Sequence, residues 1–308
     1  MIYARLADYP RSVPVALALG TFDGVHMGHR ALIAELRGLA EAANARAVAF
    51  TFATHPLVAI TGRAPEPLMS PEEKAAALLD AGADDVIMVP FDKIFMNQSA
   101  SSFLRALSAQ LNLRALAVGY NFTFGKGGEG NAATLMRWAD ERGLQARILP
   151  KVDFQGLDIS STRIRRCLEA GEIELANALL GRPYDVSGTV VRGRQLGRTL
   201  GFPTANVRYA TLLPKGGVYV TEALVGGTHF PAMTNIGRNP TVADHNLVTM
   251  ETYLIGEDLD LYGRRLTVRF HHKLRDERRF ASLDALKVQL QTDADTALAW
   301  LNARREKM

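Results

Sequence analysis

GTFDGVHMGH, residues 20–29, stands between a short apolar run at 15–19 and an amphipathic segment at 30–44. This order predicts a strand, a tight turn and the start of a helix, because glycines let a backbone turn sharply and approach a ligand closely. His26 and His29 are three positions apart, so on a first helical turn they share a face beside backbone N–H groups without helical partners. Two imidazoles at the positive end of a helix predict a polyphosphate site. The alternative is a structural turn with two surface histidines; the glycines, Asp23 and the position between strand and helix together favour the site.

Short apolar runs recur at wide intervals through the first half of the chain. They are apolar on both faces and separated by helical segments, which is typical of buried parallel strands covered by helices. A capping box with proline, SPEE at 70–73, begins one helix, and Gly143 ends another. We therefore predict a Rossmann-like, doubly wound α/β domain, whose ligands bind at the carboxyl ends of the strands. The runs lie at 15–19, 48–52, 86–89, 116–118 and 148–152.

Three further segments follow predicted strands at that edge. His55 comes after the second run, where a structural role explains it equally well. Asn121 lies in GYNFTFG (119–125) after the fourth run, where the aromatic rings could form a wall for a planar ligand. ISSTRIR at 159–165 places hydroxyls and arginines at a helix start, where they bind an anion or merely cap the helix. GKGGEG at 125–130 lacks the order of a P-loop, which we exclude.

After about residue 183 the pattern changes to alternating or β-branched runs separated by glycine-containing turns. One long helical segment, 283–301, follows Ser282 near the C-terminus. This pattern predicts a compact β-barrel or sandwich with a C-terminal helix. We expect two domains, 1–183 and 184–308. The runs lie at 186–191, 218–224, 250–255 and 266–271.

A glycine-rich basic loop joined to a polar segment occupies residues 193–206, GRQLGRTLGFPTAN. The loop can close over phosphates with its backbone N–H groups and cationic side chains. The hydroxyl of Thr204 and the amide oxygen of Asn206 are hard ligands suited to Mg²⁺, with ATP phosphates completing the coordination. Because no Walker or protein-kinase signature is present, these residues alone leave a phosphate loop and a plain β-turn both open.

The composition is that of an ordinary globular protein, with 47% hydrophobic and 22% charged residues, and 308 residues suffice for two domains. Cys167 is the single cysteine, so no intrachain disulfide forms. The 36 basic and 32 acidic residues are spread along the chain, which argues against a nucleic-acid partner and suits small molecules that carry phosphates. We see neither a leader nor an apolar run of membrane-spanning length, so a cytoplasmic protein without a membrane partner is expected. A weak homo-oligomer is left open.

Residues 20–29 resemble the G-x-F-D-x-x-H-x-G-H signature of the nucleotidylyl-transferase superfamily. With TFATHP at 51–56 and SSTRIR at 160–165, they resemble the FMN adenylyltransferase half of bacterial bifunctional flavin enzymes, with threonine where a proline is usual. The resemblance implies adenylylation of FMN by ATP, which gives FAD and pyrophosphate. His26 and His29 would then stabilise charge on the α-phosphate. The further residues implied to bind ATP or FMN are Gly20, Phe22, Asp23, Gly24, His55, Asn121, Ser161, Thr162 and Arg163.

PTAN at 203–206 resembles the riboflavin kinase family. Family-like segments follow in the same order at 216–219 (GGVY), 235–241 (NIGRNPT) and 274–277 (LRDE). The resemblance implies ATP-dependent phosphorylation of riboflavin to FMN, with Glu251 as the base that accepts the 5′-hydroxyl proton. Mg²⁺ would lie near Thr204 and Asn206. The further residues implied to bind ATP or riboflavin are Gly193, Gly197, Gly201, Pro203 and Arg275.

Two alternatives are a single-activity nucleotidyltransferase for another phosphorylated metabolite and a flavin- or RNA-binding regulator without catalysis. The first leaves the intact Thr204, Asn206 and Glu251 without a purpose. The second does not account for His26, His29 and Glu251 occurring together, and the chain shows no aromatic-basic RNA-binding motif. A bifunctional riboflavin kinase and FAD synthetase is the hypothesis that uses all of these residues.

Overall fold

The computed structural model describes residues 1–193, 196–238 and 248–306. The chain divides into two compact units, Met1–Ser161 and Thr162–Met308, and each has its own hydrophobic core. The spatial boundary thus lies earlier than residue 183. The functional division at 183 stays a prediction, because packing alone does not assign an activity to residues 162–183.

Within the second unit, two hydrogen bonds join residues 162–183 to the strands that follow them. The amide of Asn177 donates to the carbonyl oxygen of Phe270 at 2.9 Å, and its Oδ1 accepts the N–H of Tyr184 at 2.8 Å. Asn177 lies in the helix Ile173–Leu180, whose residues Ile173, Leu179 and Leu180 are fully buried. This helix therefore packs against the barrel strands that contain Tyr184 and Phe270.

A six-stranded, fully parallel sheet forms the centre of the first unit. The strands of this unit are β1 (Ile2–Tyr3), β2 (Pro14–Leu19), β3 (Arg46–Phe52), β4 (Asp85–Val89), β5 (Asn112–Gly119), β6 (Thr123–Phe124), β7 (Gly130–Asn131), β8 (Gln145–Leu149), β9 (Asp153–Phe154) and β10 (Leu157–Asp158). The sheet order is β1-β4-β3-β2-β5-β8, while β6–β7 and β9–β10 form small separate pairs.

Helices cover both faces of this sheet, which confirms the doubly wound α/β prediction. Leu17 faces a core built with α5 and α6, whereas Ala16 and Ala18 face a core built with α1 and α3. The helices are α1 (Met27–Ala42), α2 (Pro56–Thr61), α3 (Pro71–Asp80), α4 (Lys93–Met96), α5 (Ala100–Gln110) and α6 (Ala132–Asp140). The predicted capping box is present: Ser70 Oγ accepts the N–H of Glu73 at 3.2 Å, and Glu73 accepts the N–H of Ser70 at 2.8 Å.

In the first unit, one predicted strand is displaced and three helices were not predicted. The run at 148–152 is wrong, because β8 spans Gln145–Leu149. As an edge strand it is partly exposed and carries Gln145 and Arg147, so its apolar residues do not mark its limits. The helices α2, α4 and α5 have no counterpart among the predicted elements.

At β2 the order of the strands changes direction: β3 and β4 are added on one side of β2, and β5 and β8 on the other. This strand pairs with β3 on one side and with β5 on the other, so the loops that follow β2, β3 and β5 meet at one edge. Such a topological switch point leaves a crevice outside the carboxyl ends of the strands, where ligands bind in open α/β sheets. The segment 20–29 begins directly after β2.

The second unit is a closed antiparallel barrel with the strand order β11-β12-β15-β14-β13-β16, which confirms the barrel prediction. Its strands are β11 (Tyr184–Val191), β12 (Thr204–Tyr209), β13 (Gly217–Val225), β14 (Thr228–Arg238), β15 (Val248–Leu254) and β16 (Arg265–Arg275). The helices that follow the first unit are α7 (Ser161–Ala170), α8 (Ile173–Leu180), α9 (Leu196–Thr199) and α10 (Leu283–Arg305). The strands β12 and β14 were not predicted.

The barrel separates a hydroxyl-bearing interior from an outer wall that α10 covers. Thr221, Thr234 and Thr252 are fully buried and hydrogen-bonded in a row at 2.9 and 3.0 Å. On the outer wall, Val220 and Met233 pack against buried residues of α10. Ser282 caps this helix by accepting the N–H of Ala285 at 3.1 Å, as its position predicted. Within the described ranges, no helix combines the length and the apolar character needed to cross a bilayer.

Candidate active sites

The turn after β2 holds two non-glycine residues in the left-handed region of backbone space. Phe22 has φ 52° and Val25 has φ 40°, and both side chains are fully buried; Gly24 between them has φ 82°. A left-handed conformation is unfavourable for a β-branched residue, so the surrounding packing must hold it in place. This loop is therefore a constrained structure that fixes the start of α1.

His26 and His29 form a stacked pair at the N-terminus of α1. His26 is the N-cap residue, and its Nδ1 accepts the backbone N–H of His29 at 3.3 Å. The rings stack with their centroids 3.6 Å apart, and Phe22 contacts the His29 ring edge-on at 5.2 Å. Because Nδ1 of His26 is an acceptor, the proton of the neutral ring lies on Nε2. The predicted shared face of the two histidines is thus present.

Both imidazoles are neutral at pH 7. Burial lowers the pKa of His26 to about 4. Burial, followed by the positive fields of His26 and Lys74, lowers the pKa of His29 well below its usual 6.5. Among the described residues, Nδ1 of His29 is buried without a hydrogen-bond partner. The pair can therefore offer uncharged N–H donors to a phosphate, rather than two permanent cations.

Asp23 fixes the loop from within. It is 6% exposed, and its carboxylate accepts the N–H of Leu68 at 3.1 Å. Its backbone carbonyl accepts the hydroxyl of Ser161 at 2.8 Å, so Ser161 ties the end of the first unit to the histidine-bearing loop. Thr162 and Arg163 follow in the second unit, and their roles stay predictions.

His55 and Asn121 lie in the loops that leave the same sheet edge. His55 is half-buried and caps α2, its Nδ1 accepting the N–H of Leu57 at 3.2 Å. Asn121 is exposed, two residues beyond the end of β5. The predicted aromatic wall is partly core, since Phe124 is buried and stacks on Phe122 with their centroids 5.5 Å apart.

Lys74 is a residue of this site that sequence reasoning missed. It lies in the first turn of α3, is 8% exposed and donates to the carbonyl oxygens of Thr21 at 3.3 Å and Phe52 at 2.6 Å. The available signal was its helical spacing, since Lys74 lies four positions before the buried Leu78 and shares its face. A lysine on a buried face is rarely accidental.

The second site is a cavity of about 330 Å³ on the outer wall of the barrel, beneath α10. It brings together four predicted residues from three segments of the chain: Gly197, Thr204, Glu251 and Arg275. Residues without an individual prediction also line it, namely Leu200, Phe202, Val218, Met233, Asn235, Tyr253, Glu277, Arg278, Phe280, Leu286 and Leu290. Residues 194–195 of the predicted loop and 239–241 of the family-like segment lie outside the described ranges.

Strand register aligns the polar residues of this site. Glu251 of β15 pairs with Asn206 of β12 on one side and with Asn235 of β14 on the other. Paired residues of neighbouring strands point to the same face, so these three side chains form a row across the outer wall. Thr204 pairs with Tyr253 in the next row on that face.

Two of the predicted glycines pack directly on the predicted magnesium ligands. A Cβ at Gly193 would lie 2.2 Å from Nδ2 of Asn206. A Cβ at Gly197 would lie 2.3 Å from the carbonyl oxygen of Phe202 and 3.3 Å from Oγ1 of Thr204. The loop backbone therefore approaches these ligands more closely than any side chain permits. The binding roles of Gly201 and Pro203 stay predictions. Gly201 has φ 86°, and a Cβ at this position would meet no atom within 4 Å.

Arg275 forms one wall of the cavity and is held there by α10. Its Nε and Nη2 donate to the carboxylate of Asp293 at 2.8 to 3.2 Å, and Asp293 is 4% exposed. The guanidinium groups of Arg275 and Arg278 lie 5.6 and 5.0 Å from the centroid of the Phe280 ring. Such contacts are cation–π interactions that add to the order of this wall.

The oxygen donors near the cavity suit Mg²⁺ rather than a transition metal. In the part of the chain that the structure describes, no group of three or more His, Cys, Asp or Glu side chains could hold a metal ion. Mg²⁺ is commonly bound through a few protein oxygens with substrate phosphates and waters completing its shell. The hydroxyl of Thr204 and the amide oxygen of Asn206 are donors of this kind.

A Rossmann-like unit with a constrained, histidine-bearing turn and a barrel with a carboxylate-bearing cavity are typical of a two-domain transferase. Two family models match the chain, FAD synthetase over residues 10–163 and riboflavin kinase over residues 180–301. The bifunctional riboflavin kinase/FMN adenylyltransferase of Escherichia coli K12 is 40% identical over 285 residues, covering 91% of each chain. The enzyme of the same name from Haemophilus influenzae is 36% identical, covering 94% of each. The chain belongs to this family and is a bifunctional riboflavin kinase and FMN adenylyltransferase.

A solved structure shares the fold under a different description. It is described as a macrolide-efflux protein from Streptococcus pneumoniae, is 28% identical, has a TM-score of 0.89 and covers 97% of this chain and 99% of its own. That description applies to the Streptococcus pneumoniae protein and does not assign efflux to this chain. The family models and the curated relatives agree on a flavin enzyme across both units of this chain.

Proposed function

We propose that the two activities use the two sites described above, each with its own catalytic residues. Adenylyl transfer takes place at the turn between β2 and α1, with His26 and His29 as the catalytic pair. Phosphoryl transfer takes place in the barrel cavity, with Glu251 as the base and Mg²⁺ held near Thr204 and Asn206. Two observations carry the proposal: the constrained turn stacks His26 on His29, and strand pairing brings Thr204 and Asn206 of β12 beside β15, which carries Glu251.

In adenylyl transfer, an FMN phosphate oxygen attacks the α-phosphorus of ATP and pyrophosphate leaves. The Nε2–H of His26 is available to donate to an α-phosphate oxygen, as is a ring N–H of His29. Such a site accelerates the reaction by positioning the reactants and by stabilising charge, without a covalent intermediate. Fixed, partly desolvated donors are effective because they need no reorganisation while charge develops.

In phosphoryl transfer, the riboflavin 5′-hydroxyl attacks the γ-phosphorus of ATP, ADP leaves, and Glu251 accepts the hydroxyl proton. Its place between Asn206 and Asn235 in the strand register supports this role. Mg²⁺, when bound, neutralises charge on the phosphate oxygens. A positioned base contributes roughly 10²–10⁴-fold to the rate.

A separation of the two activities by mutation tests this division. The purified protein is given riboflavin or FMN with Mg-ATP, and FMN and FAD are resolved by chromatography. His29→Ala should abolish FAD formation and leave FMN formation intact. Glu251→Gln should block FMN formation while FMN added directly is still converted to FAD. Loss of both activities in either folded variant would contradict the two-site division.

The setting of the reactions is also proposed. The dispersed basic residues, the net charge of +4 and the single cysteine support a cytoplasmic protein that acts on small molecules and binds no nucleic acid. Weak self-association stays a prediction that light scattering of the purified protein can test.

A further inference from the structure

Lys74 is a buried lysine beneath the histidine-bearing turn. Its neighbours Ala75 and Leu78 on α3 are buried in the core at 1% and 0% exposure, and Lys74 itself is 8% exposed. An ammonium group loses hydration when it is buried, so it remains there only if other groups replace the lost water. Burial accordingly lowers the pKa of Lys74, while the nearby Asp23 raises it.

The groups that replace water around Lys74 are the ends of two neighbouring strands. Its Nζ donates to the carbonyl oxygen of Phe52, the last residue of β3, at 2.6 Å. It also donates at 3.3 Å to the carbonyl oxygen of Thr21, which directly precedes the left-handed Phe22. The hydroxyl of Thr51 donates to this same carbonyl at 3.0 Å. Two side chains from different elements thus hold one peptide group at the entrance of the constrained turn.

Holding that peptide group matters for the histidines that follow. A left-handed phenylalanine and valine are strained conformations that persist only when neighbouring contacts over-determine them. If the Thr21 carbonyl is released, the turn can relax and the stacked imidazoles move with it. A displacement of about 1 Å in a catalytic group can cost 10²-fold in rate.

We propose that Lys74 is a positioning residue for adenylyl transfer: its ammonium ties the carboxyl ends of β2 and β3 together and so fixes the turn that presents His26 and His29. This inference rests on the proposed role of those histidines. It predicts a defect in the chemical step of FAD formation, because Lys74 acts on the arrangement of the catalytic pair.

The test compares Lys74→Met with Lys74→Arg in the full-length protein. Methionine keeps the length and removes the donors, so kcat for FAD formation should fall by about 10- to 100-fold with KM for ATP and FMN changed by less than about 3-fold. Arginine keeps the charge and the donors and should retain at least about a third of kcat. Riboflavin kinase activity of the same samples should be unchanged, and Trp138 fluorescence reports on folding of the first unit, which contains Lys74. Lys93→Met, at an exposed lysine, is the matched control.

A second variant covers the case in which Lys74→Met does not fold. Thr51→Val removes the other donor to the Thr21 carbonyl at nearly constant shape, and it should lower kcat for FAD formation about 2- to 10-fold without changing KM. Unchanged kcat in Thr51→Val or Lys74→Met overturns the proposal, as does a Lys74→Arg variant as defective as Lys74→Met. A tenfold rise in KM for ATP at constant kcat also overturns it, because Lys74 would then act on nucleotide binding. His29→Ala in the same assay separates the failures: an active His29→Ala variant refutes the proposed function itself.

Discussion

Replacing Asp293 by asparagine should loosen α10 from the barrel cavity. The carboxylate of Asp293 receives three hydrogen-bond contacts from Arg275, and the two side chains are 5% and 18% exposed. Breaking a buried ion pair costs about 3–5 kcal/mol when the remaining charge is left without a partner. Arg275 keeps some contact with solvent and its bond to the Asp276 carbonyl, and asparagine keeps one acceptor. We therefore expect a loss of about 2–3 kcal/mol in the unfolding free energy of the second unit.

The two tryptophans of the chain allow this loss to be measured locally. Trp138 lies in the first unit and Trp300 lies in α10, so a Trp138→Phe background leaves Trp300 as the only tryptophan. A two-domain protein need not unfold in one step, and a local probe avoids assuming that it does. Urea unfolding followed by Trp300 fluorescence should show the loss. Asp295→Asn, at an exposed position of the same helix, is the matched control.

The kinase activity of Asp293→Asn should change in parallel. Since Arg275 and Phe280 line the cavity, their release should raise KM for riboflavin several-fold, while conversion of added FMN to FAD stays at its original rate. An Asp293→Asn variant within about 0.5 kcal/mol of the parent, with an unchanged KM, would refute the argument. If the variant loses stability but its KM for riboflavin is unchanged, Asp293 anchors α10 without affecting riboflavin binding.

Two further predictions concern the phosphate loop and the buried histidines. Gly197→Ala should reduce riboflavin kinase activity at least about tenfold, because its Cβ would lie 2.3 Å from the Phe202 carbonyl oxygen, and FAD formation from FMN should persist. Gly38→Ala, where a Cβ meets nothing within 4 Å, is the control, and equal losses in both variants would count against the close-approach argument. Since the pKa of His26 is about 4 in the folded chain and its usual value is 6.5, the unfolded chain binds more protons between these values. The first unit should therefore lose about 3 kcal/mol from His26 alone as pH falls from 6.5 to 4, measured by Trp138 fluorescence, and His26→Gln should flatten that dependence.

The sequence was sufficient to predict the elements whose patterns are local. The central strands β2, β3 and β4 have nearly continuous apolar runs, and the helices capped by Ser70 and Ser282 carry their own start signals. β12 was missed because its outer face is polar where it forms the site, as at Thr204 and Asn206, so it does not read as an apolar strand. β14 contains Pro231 and glycine, which weaken a strand pattern.

The arrangement of the sites depends on long-range register that no local pattern encodes. Glu251 could be assigned a role only through family resemblance, because its neighbours Asn206 and Asn235 become neighbours through strand pairing. Lys74 also shows that a local pattern does not reveal which distant residues a side chain contacts. Its helical spacing placed it on a buried face, but only the fold shows that this face lies under the ends of β2 and β3.

The threonine row inside the barrel bears on which substitutions the second unit can accept. Thr252 points inward to Thr234, while Glu251 beside it points outward to the cavity. One strand thus carries a hydrogen bond of the barrel interior on one face and a cavity-lining carboxylate on the other. Substitutions that reshape the cavity on the outer wall can therefore leave the threonine row intact, and substitutions in that row can change the stability of the barrel without altering a residue that lines the cavity.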